Sequence, residues 1–165
     1  MILRGIMAFF MFDLKKNITL HTNKPTMARD KIHEAVRNAL QKDGWVITDD
    51  PLYFIFDEED TISIDLGAEN QLLAEKGNRK IAVEIKTFNQ PSLMYEFHKA
   101  IGQYFNYETA LQEALETDRK LYVAAPDTIY PRFMAHRVMK RSIERMKMRF
   151  ILVDIKQEII VAWKE

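Results

Sequence analysis

Cysteine is absent from this chain. That excludes a disulfide framework, thiolate zinc sites, iron–sulfur clusters and cysteine nucleophiles, and it fits a reducing cytoplasm. Glycine is scarce, and the five present (Gly5, Gly44, Gly67, Gly77 and Gly102) are too scattered for a GxGxxG turn or a phosphate-cradling P-loop. Only three serines occur, Ser63, Ser92 and Ser142, and none lies in a GxSxG elbow. His33-Glu34 opens an HExxH-like stretch, but Arg37 stands where the second zinc ligand is needed. Charge of one sign is also missing: 24 Lys+Arg balance 24 Asp+Glu. A neutral chain does not coat nucleic acid nonspecifically, so any contact with DNA has to come from a local patch. The apolar run Gly5–Phe12, eight residues, is too short to span a bilayer. One preceding basic residue, Arg4, and no small-x-small cleavage site argue against a signal peptide, and no membrane association is expected.

What is present is 165 residues with 47% apolar content, enough for one domain with a core that buries roughly 70% of the unfolded surface. Residues 1–26 read as an N-terminal extension. Two readings stay open for it: an extra strand or arm, or upstream sequence before a true start at Met27. The domain proper is 27–165.

Within it, Ile32, Ala35, Val36, Ala39 and Leu40 recur at helical spacing over 28–42, with Thr26 as N-cap and Gly44 as stop. The runs at 45–48, 52–56 and 61–66 are aromatic and β-branched, and they read as strands. Gly77-Asn78 between 71–76 and 79–88 signals a two-residue hairpin. In its second strand Ile81, Val83 and Ile85 face one way and Ala82, Glu84 and Lys86 the other. A long aromatic helix over 93–116 follows, with Pro91 in its first turn. Strand 120–125, a loop at 126–131, helix 133–146 and strands 150–153 and 158–163 complete a mixed α/β order with a mixed sheet.

Glu84-Ile85-Lys86 is the candidate site. With 13 Glu and 14 Lys in 165 residues, chance alone supplies about one ExK, so the tripeptide by itself carries no information. Its setting does. Two charges inside an apolar strand are best explained as partners of each other or of a metal, because an unpaired buried charge costs several kcal/mol. Asp65, one strand upstream, can face the same side, and Glu75 competes with it as second carboxylate. Two carboxylates beside a lysine suit phosphodiester cleavage: the oxygens hold Mg²⁺, and the ammonium stabilises the phosphorane and orients water.

The segments Met27–Val36, Ile64–Glu69, Ile81–Phe88 and Glu96–His98 leading into Gly102–Tyr107 together resemble the XisH family, a resemblance that runs from Met27 to Trp163. That family is named for a factor controlling excision of a DNA element from a nitrogen-fixation gene in cyanobacterial heterocysts. XisH proteins in turn resemble the PD-(D/E)XK, restriction-endonuclease-like superfamily, an antiparallel meander flanked by helices. The resemblance implies Asp65, Glu84 and Lys86 as the metal and catalytic trio, Glu34 as supporting carboxylate, and Mg²⁺ or Mn²⁺ as cofactor. It further implies DNA as substrate, with a XisI-like protein and a site-specific recombinase as partners. Gln103 and Tyr107 match the superfamily's Q-xxx-Y helix motif. Two departures leave alternatives open: Ile64 replaces the expected Pro, and 18 residues separate Asp65 from Glu84. Either Glu75 takes the role of Asp65, or the site binds without cutting.

Gln103 and Tyr107 lie one helical turn apart and can reach one phosphate or brace Lys86. His33 and His98 are not at metal spacing and read as packed or hydrogen-bonded histidines. Residues 43–75 hold ten acidic side chains and no Lys or Arg, a flank that repels DNA unless a metal ion intervenes. Residues 132–149 carry seven basic side chains, Arg137 and Arg141 among them, against Glu144 alone, and can lie along a phosphate backbone. The aromatic helix 93–115 is a candidate homo-oligomer interface.

Overall fold

The computed structural model describes residues 27–70 and 79–165. The chain divides into two units, Met1–Asp30 and Lys31–Glu165, and the geometry below belongs to the second. The extension 1–26, the Thr26 cap, the strand at 71–76 with Glu75, and the Gly77-Asn78 turn lie outside the described residues.

Helix α1 (Met27–Lys42) buries Ile32, Val36, Ala39 and Leu40, one stripe at helical spacing. It ends where glycine permits. Gly44 takes φ 89°, its N–H bonds the Gln41 carbonyl and the Trp45 N–H bonds that of Leu40, so the orphan carbonyls are satisfied in a Schellman closure. Trp45 then packs beside Leu40.

Strands β1 (Val46–Asp49), β4 (Leu66–Asn70), β5 (Arg79–Ile85), β6 (Arg119–Pro126), β7 (Phe150–Asp154) and β8 (Ile159–Lys164) form one sheet in the order β1-β4-β5-β6-β7-β8. Strands β2 (Leu52–Ile55) and β3 (Thr61–Ile64) form a separate two-stranded sheet. β5, β6 and β7 run parallel, while β1, β4 and β8 pair antiparallel to their neighbours. The three parallel strands are almost continuously buried, as strands covered on both faces must be. The sheet is therefore mixed: antiparallel from β1 through β4 to β5, parallel from β5 to β7, and antiparallel again at β7–β8.

The expected single strand 61–66 is two strands. Ile64 packs in one core and Leu66 in the other, although residues two apart on a continuous strand share a face. The chain changes sheets at Asp65. Among the described residues, the antiparallel partner of β5 is 66–70.

Helix α2 (Leu93–Glu113) starts after Ser92, whose Oγ accepts the Tyr95 N–H, so Pro91 precedes the helix instead of entering its first turn. The expected helix 133–146 is two: α3 (Ile129–Ala135) and α4 (Arg137–Met146), separated by His136 in extended conformation. α1 covers one face of the sheet, against Leu66, Ala68, Ile81, Val83, Tyr122 and Ile151. On the other face α2, α3, α4 and the β2–β3 hairpin pack against Ala82, Leu121, Val123, Ala125 and Leu152.

Candidate functional site

Strand alternation sends Glu84 to the Ala82 side of β5, under the α2 layer. Glu84 is 7% exposed, and its Oε1 lies 2.6 Å from Lys86 Nζ, whose side chain is 25% exposed. Residues i and i+2 share a face, so the strand itself sets this pair. The Lys86 N–H bonds the Ala124 carbonyl at 2.9 Å, carrying the β5–β6 ladder past the end of the strand and fixing where the lysine leaves it.

Asp65 reaches the same spot from the break between β3 and β4. The register pairs Leu66 with Val83 and Gly67 with Ala82, so one step further sets Asp65 opposite Glu84. Its Oδ2 accepts the Ile85 N–H at 2.8 Å. Where the chain turns away to the second sheet, a side-chain carboxylate takes over as hydrogen-bond acceptor for β5. Two carboxylates and one ammonium thus converge at the mouth of a central strand, with a net formal charge of −1.

The structure brings Asp65, Glu84 and Lys86 together. Glu34 is exposed on α1, the helix on the opposite face of the sheet, and stands outside this group. Gln103 Nε2 donates to Tyr107 Oη at 3.4 Å, so the two residues do form one unit on α2. Tyr107 is buried in the same core as Ala82 and Ile64, the layer that covers Glu84's face. His33 Nε2 lies 3.0 Å from Asp50, which Arg37 also approaches at 3.5 Å, a hydrogen-bonded histidine as expected. Arg137 and Arg141 are exposed on α4, with Arg141 Nη1 3.3 Å from Glu144. Arg149 is withdrawn from that basic surface: it is half-buried and bonds Glu108 at 3.1 Å.

Among the described residues, no group of three or more His, Asp or Glu is placed to hold a metal ion alone. No helix is long and apolar enough to cross a membrane among those residues.

Sequence reasoning missed Arg119. Its buried guanidinium bonds the Ile81 carbonyl at 3.1 Å and pairs with Glu116 at 3.3 Å and Glu69 at 3.7 Å, tying β4, β5 and β6 together. The signal was phase: Arg119 is two residues before Leu121 and four before Val123, on the core-facing register of β6.

Fold and site together define a mixed α/β protein, helices on both faces of a mixed sheet, with an acid–lysine cluster at the end of its central strand. Residues 26–161 match the family model of the XisH protein. The chain belongs to the XisH family. An XisH family protein from Nostoc punctiforme PCC 73102 has a crystal structure similar to it, at 36% identity and TM-score 0.71, over 82% of this chain and 100% of that one. A crystal structure of an FDXN element excision controlling factor protein from Anabaena variabilis is similar at 40% identity and TM-score 0.71, over 83% of this chain and 100% of that one. No curated protein matches the chain.

Proposed function

We propose that this chain takes part in controlled excision of a DNA element, as its similarity to an element excision controlling factor suggests, and that it does so as a metal-dependent DNA endonuclease of PD-(D/E)XK type. The observation that carries this reading is the buried Glu84–Lys86 pair with Asp65 docked on the next residue of the strand. A structural ion pair does not require a second carboxylate beside its lysine. A phosphodiester-cleaving site does need one, because two carboxylates hold a hard cation while a lysine serves the water and the phosphorane.

The donor set fits Mg²⁺ or Mn²⁺ shared with DNA. Mg²⁺ is usually held by one or two carboxylates, with waters and substrate phosphates filling the octahedron. Asp65 and Glu84 would supply the carboxylates, and the bound ion would supply charge stabilisation. Lys86 Nζ, when released from Glu84, donates hydrogen bonds to the scissile phosphate or the attacking water. The exposed Arg137 and Arg141 give the duplex a phosphate contact on α4. A XisI-like protein and a site-specific recombinase complete the system the resemblance implies.

A second reading keeps the site as a binding device that regulates a recombinase without cutting. The acidic flank favours it: ten carboxylates and no Lys or Arg over 43–75 oppose DNA close to Asp65.

Calorimetric titration of Mg²⁺ and Mn²⁺ into wild type and Glu84→Ala, followed by incubation with linear, nicked and junction DNA, separates the two readings. Metal binding and metal-dependent cleavage, both lost in the variant, support the nuclease. Absence of metal-dependent cleavage by wild type on every one of these substrates overturns it and leaves the regulatory reading.

A further inference from the structure

Four residues other than glycine have a positive φ among the described residues: Phe88 at 51°, Leu115 at 58°, Lys147 at 50° and Glu158 at 54°. Three of them close an element. Leu115 and Lys147 follow α2 and α4, where the N–H of the next residue reaches back to the Leu111 or the Ile143 carbonyl in a Schellman closure. Glu158 ends the turn between β7 and β8. Phe88 closes neither a helix nor a hairpin, and it is the buried member of the four, at 2% exposed. The left-handed region is unfavourable for a bulky aromatic residue, and such a residue persists only where its surroundings over-determine it.

Those surroundings are the aromatic core beneath α2. The Phe88 ring meets Phe133 edge-on with centroids 4.9 Å apart, and Phe133 lies 5.2 Å from Phe97 on α2 and 5.9 Å from Phe150 on β7. The chain on either side of Phe88 is tied as well. Thr87 Oγ1 donates to Asn89 Oδ1 at 3.0 Å, and the Gln90 N–H donates to Glu96 Oε2 at 3.0 Å. Lys86 stands one residue past the end of β5, and its N–H makes one ladder bond, to the Ala124 carbonyl. Strand ends held by so little open readily. We propose that Phe88 is a positioning residue for Lys86: its ring, packed against Phe133, fixes the left-handed turn that keeps the Lys86 backbone at the end of β5 and so sets where Nζ reaches. Lysine carries its ammonium on a flexible four-carbon stem, and a functional group has to be held within about 0.5 Å of its productive position. Phe88 acts through Lys86, and its meaning for cleavage rests on the nuclease reading.

A double-mutant cycle between Glu84 and Lys86, repeated in Phe88→Gly and Phe88→Leu, tests this without reference to cleavage. Glycine accepts the left-handed backbone but lacks the ring, and leucine fills part of its space. In wild type the pair should shift the folding equilibrium by about tenfold. That coupling should fall to about threefold or less in Phe88→Gly and lie between the two in Phe88→Leu. Phe97→Leu, a cavity in the same aromatic cluster on another element, should lower stability and leave the coupling whole. Amide hydrogen exchange gives a second readout: Phe88→Leu should speed the Lys86 N–H more than the amides in the middle of β5, whereas a plain loss of stability speeds them alike. Coupling absent in wild type, unchanged in Phe88→Gly, or lost equally in Phe97→Leu overturns the proposal. If Phe88→Gly does not fold, Phe88→Leu and its exchange pattern decide. Where cleavage is found, kcat should fall about tenfold or more in Phe88→Leu with KM within about threefold, and an unchanged kcat also overturns the proposal. A chain that cuts no DNA overturns the nuclease reading alone, because coupling and exchange do not depend on it.

Discussion

Lys86 folds back across one residue to meet Glu84, Nζ to Oε1 at 2.6 Å, and the carboxylate it neutralises is almost wholly out of water. Removing Lys86 takes from the buried Glu84 carboxylate its ion pair with the ammonium. Lys86→Met should therefore cost about 1–3 kcal/mol, below the 3–5 kcal/mol of a fully buried pair because the lysine is partly exposed. Glu84→Gln combined with Lys86→Met should recover much of that loss. A double-mutant cycle by urea unfolding checks this, and additive costs would show that the pair is not energetically coupled.

Asp65 has two separable properties, its hydrogen-bond acceptor and its charge. Oδ2 accepts the Ile85 N–H at 2.8 Å, so Asp65→Ala should destabilise the fold by about 1–3 kcal/mol through an orphaned backbone donor. Asp65→Asn retains an acceptor oxygen and should cost less than about 1 kcal/mol. Metal affinity should fall in both variants. Equal metal binding by Asp65→Asn and wild type would mean that this carboxylate serves the backbone alone.

Much of this was legible from pattern. The strands at 120–125 and 150–153 are legible as apolar runs, their parallel pairing with β5 is not, and the alternation in 81–86 puts Glu84 and Lys86 on one face. The sheet change at Asp65 was not legible: Ile64 and Leu66 are both fully buried, and apolarity does not say into which core each points. The break at His136 leaves a trace in phase: Met139 lies six residues after Phe133, about 120° away on a continuous helix, while Phe133 with Ile129 and Met139 with Ile143 each keep four-residue spacing. Asp65 itself was found through its chemistry, and the backbone bond that holds it could not be read from residue types.

Two glycines should respond oppositely to alanine. A Cβ at Gly67 would lie 2.8 Å from Asp49 Oδ2 and 3.2 Å from Asp49 Cβ, with Arg119 Nη1 at 3.4 Å. Asp49 would have to swing its carboxylate aside and yield by a few tenths of an ångström, and Gly67→Ala should cost about 1–3 kcal/mol. Gly102→Ala meets open space in a helix and should stabilise the chain by about 0.5–1 kcal/mol. Thermal melts in dilute solution should therefore move down for the first and up for the second.

Tyr104 makes the fold sensitive to alkali. Burial first, and the nearby Glu108 carboxylate second, push its phenol from the ordinary 10.0 up to about 12. The fold favours the neutral phenol, whose oxygen accepts the Arg149 N–H and donates to the Leu121 carbonyl. A pKa raised in the folded state contributes stability that is complete below pH 10 and is lost as pH rises through about 12. The loss should be about 2 kcal/mol over that window. Tyr122, buried and bonded to Glu165, is raised in the same direction and adds to the slope. Tyr104→Phe should be less stable at neutral pH by about 1 kcal/mol yet shallower between pH 10 and 12. An unchanged slope in urea unfolding across that range would place the alkaline sensitivity elsewhere.

If α4 lies along DNA, its arginines should act as phosphate contacts, and their signature is salt dependence instead of sequence preference. Each neutralised phosphate adds about 0.9 to the slope of log affinity against log salt, so the double variant Arg137→Ala/Arg141→Ala should lower that slope by nearly 2. Affinity should fall to a similar extent on unrelated duplexes. Glu144 supplies an internal control. It holds Arg141 at 3.3 Å and approaches Lys140 at 4.0 Å, so it competes with phosphate for both cations. Glu144→Gln should raise affinity modestly at low salt and lose that gain at high salt, where exposed charges are screened. Fluorescence anisotropy with one labelled duplex across a salt series measures all three proteins. A slope unchanged in the double arginine variant would remove α4 from the DNA interface, and it would leave the pair at the end of β5 to be tested on its own.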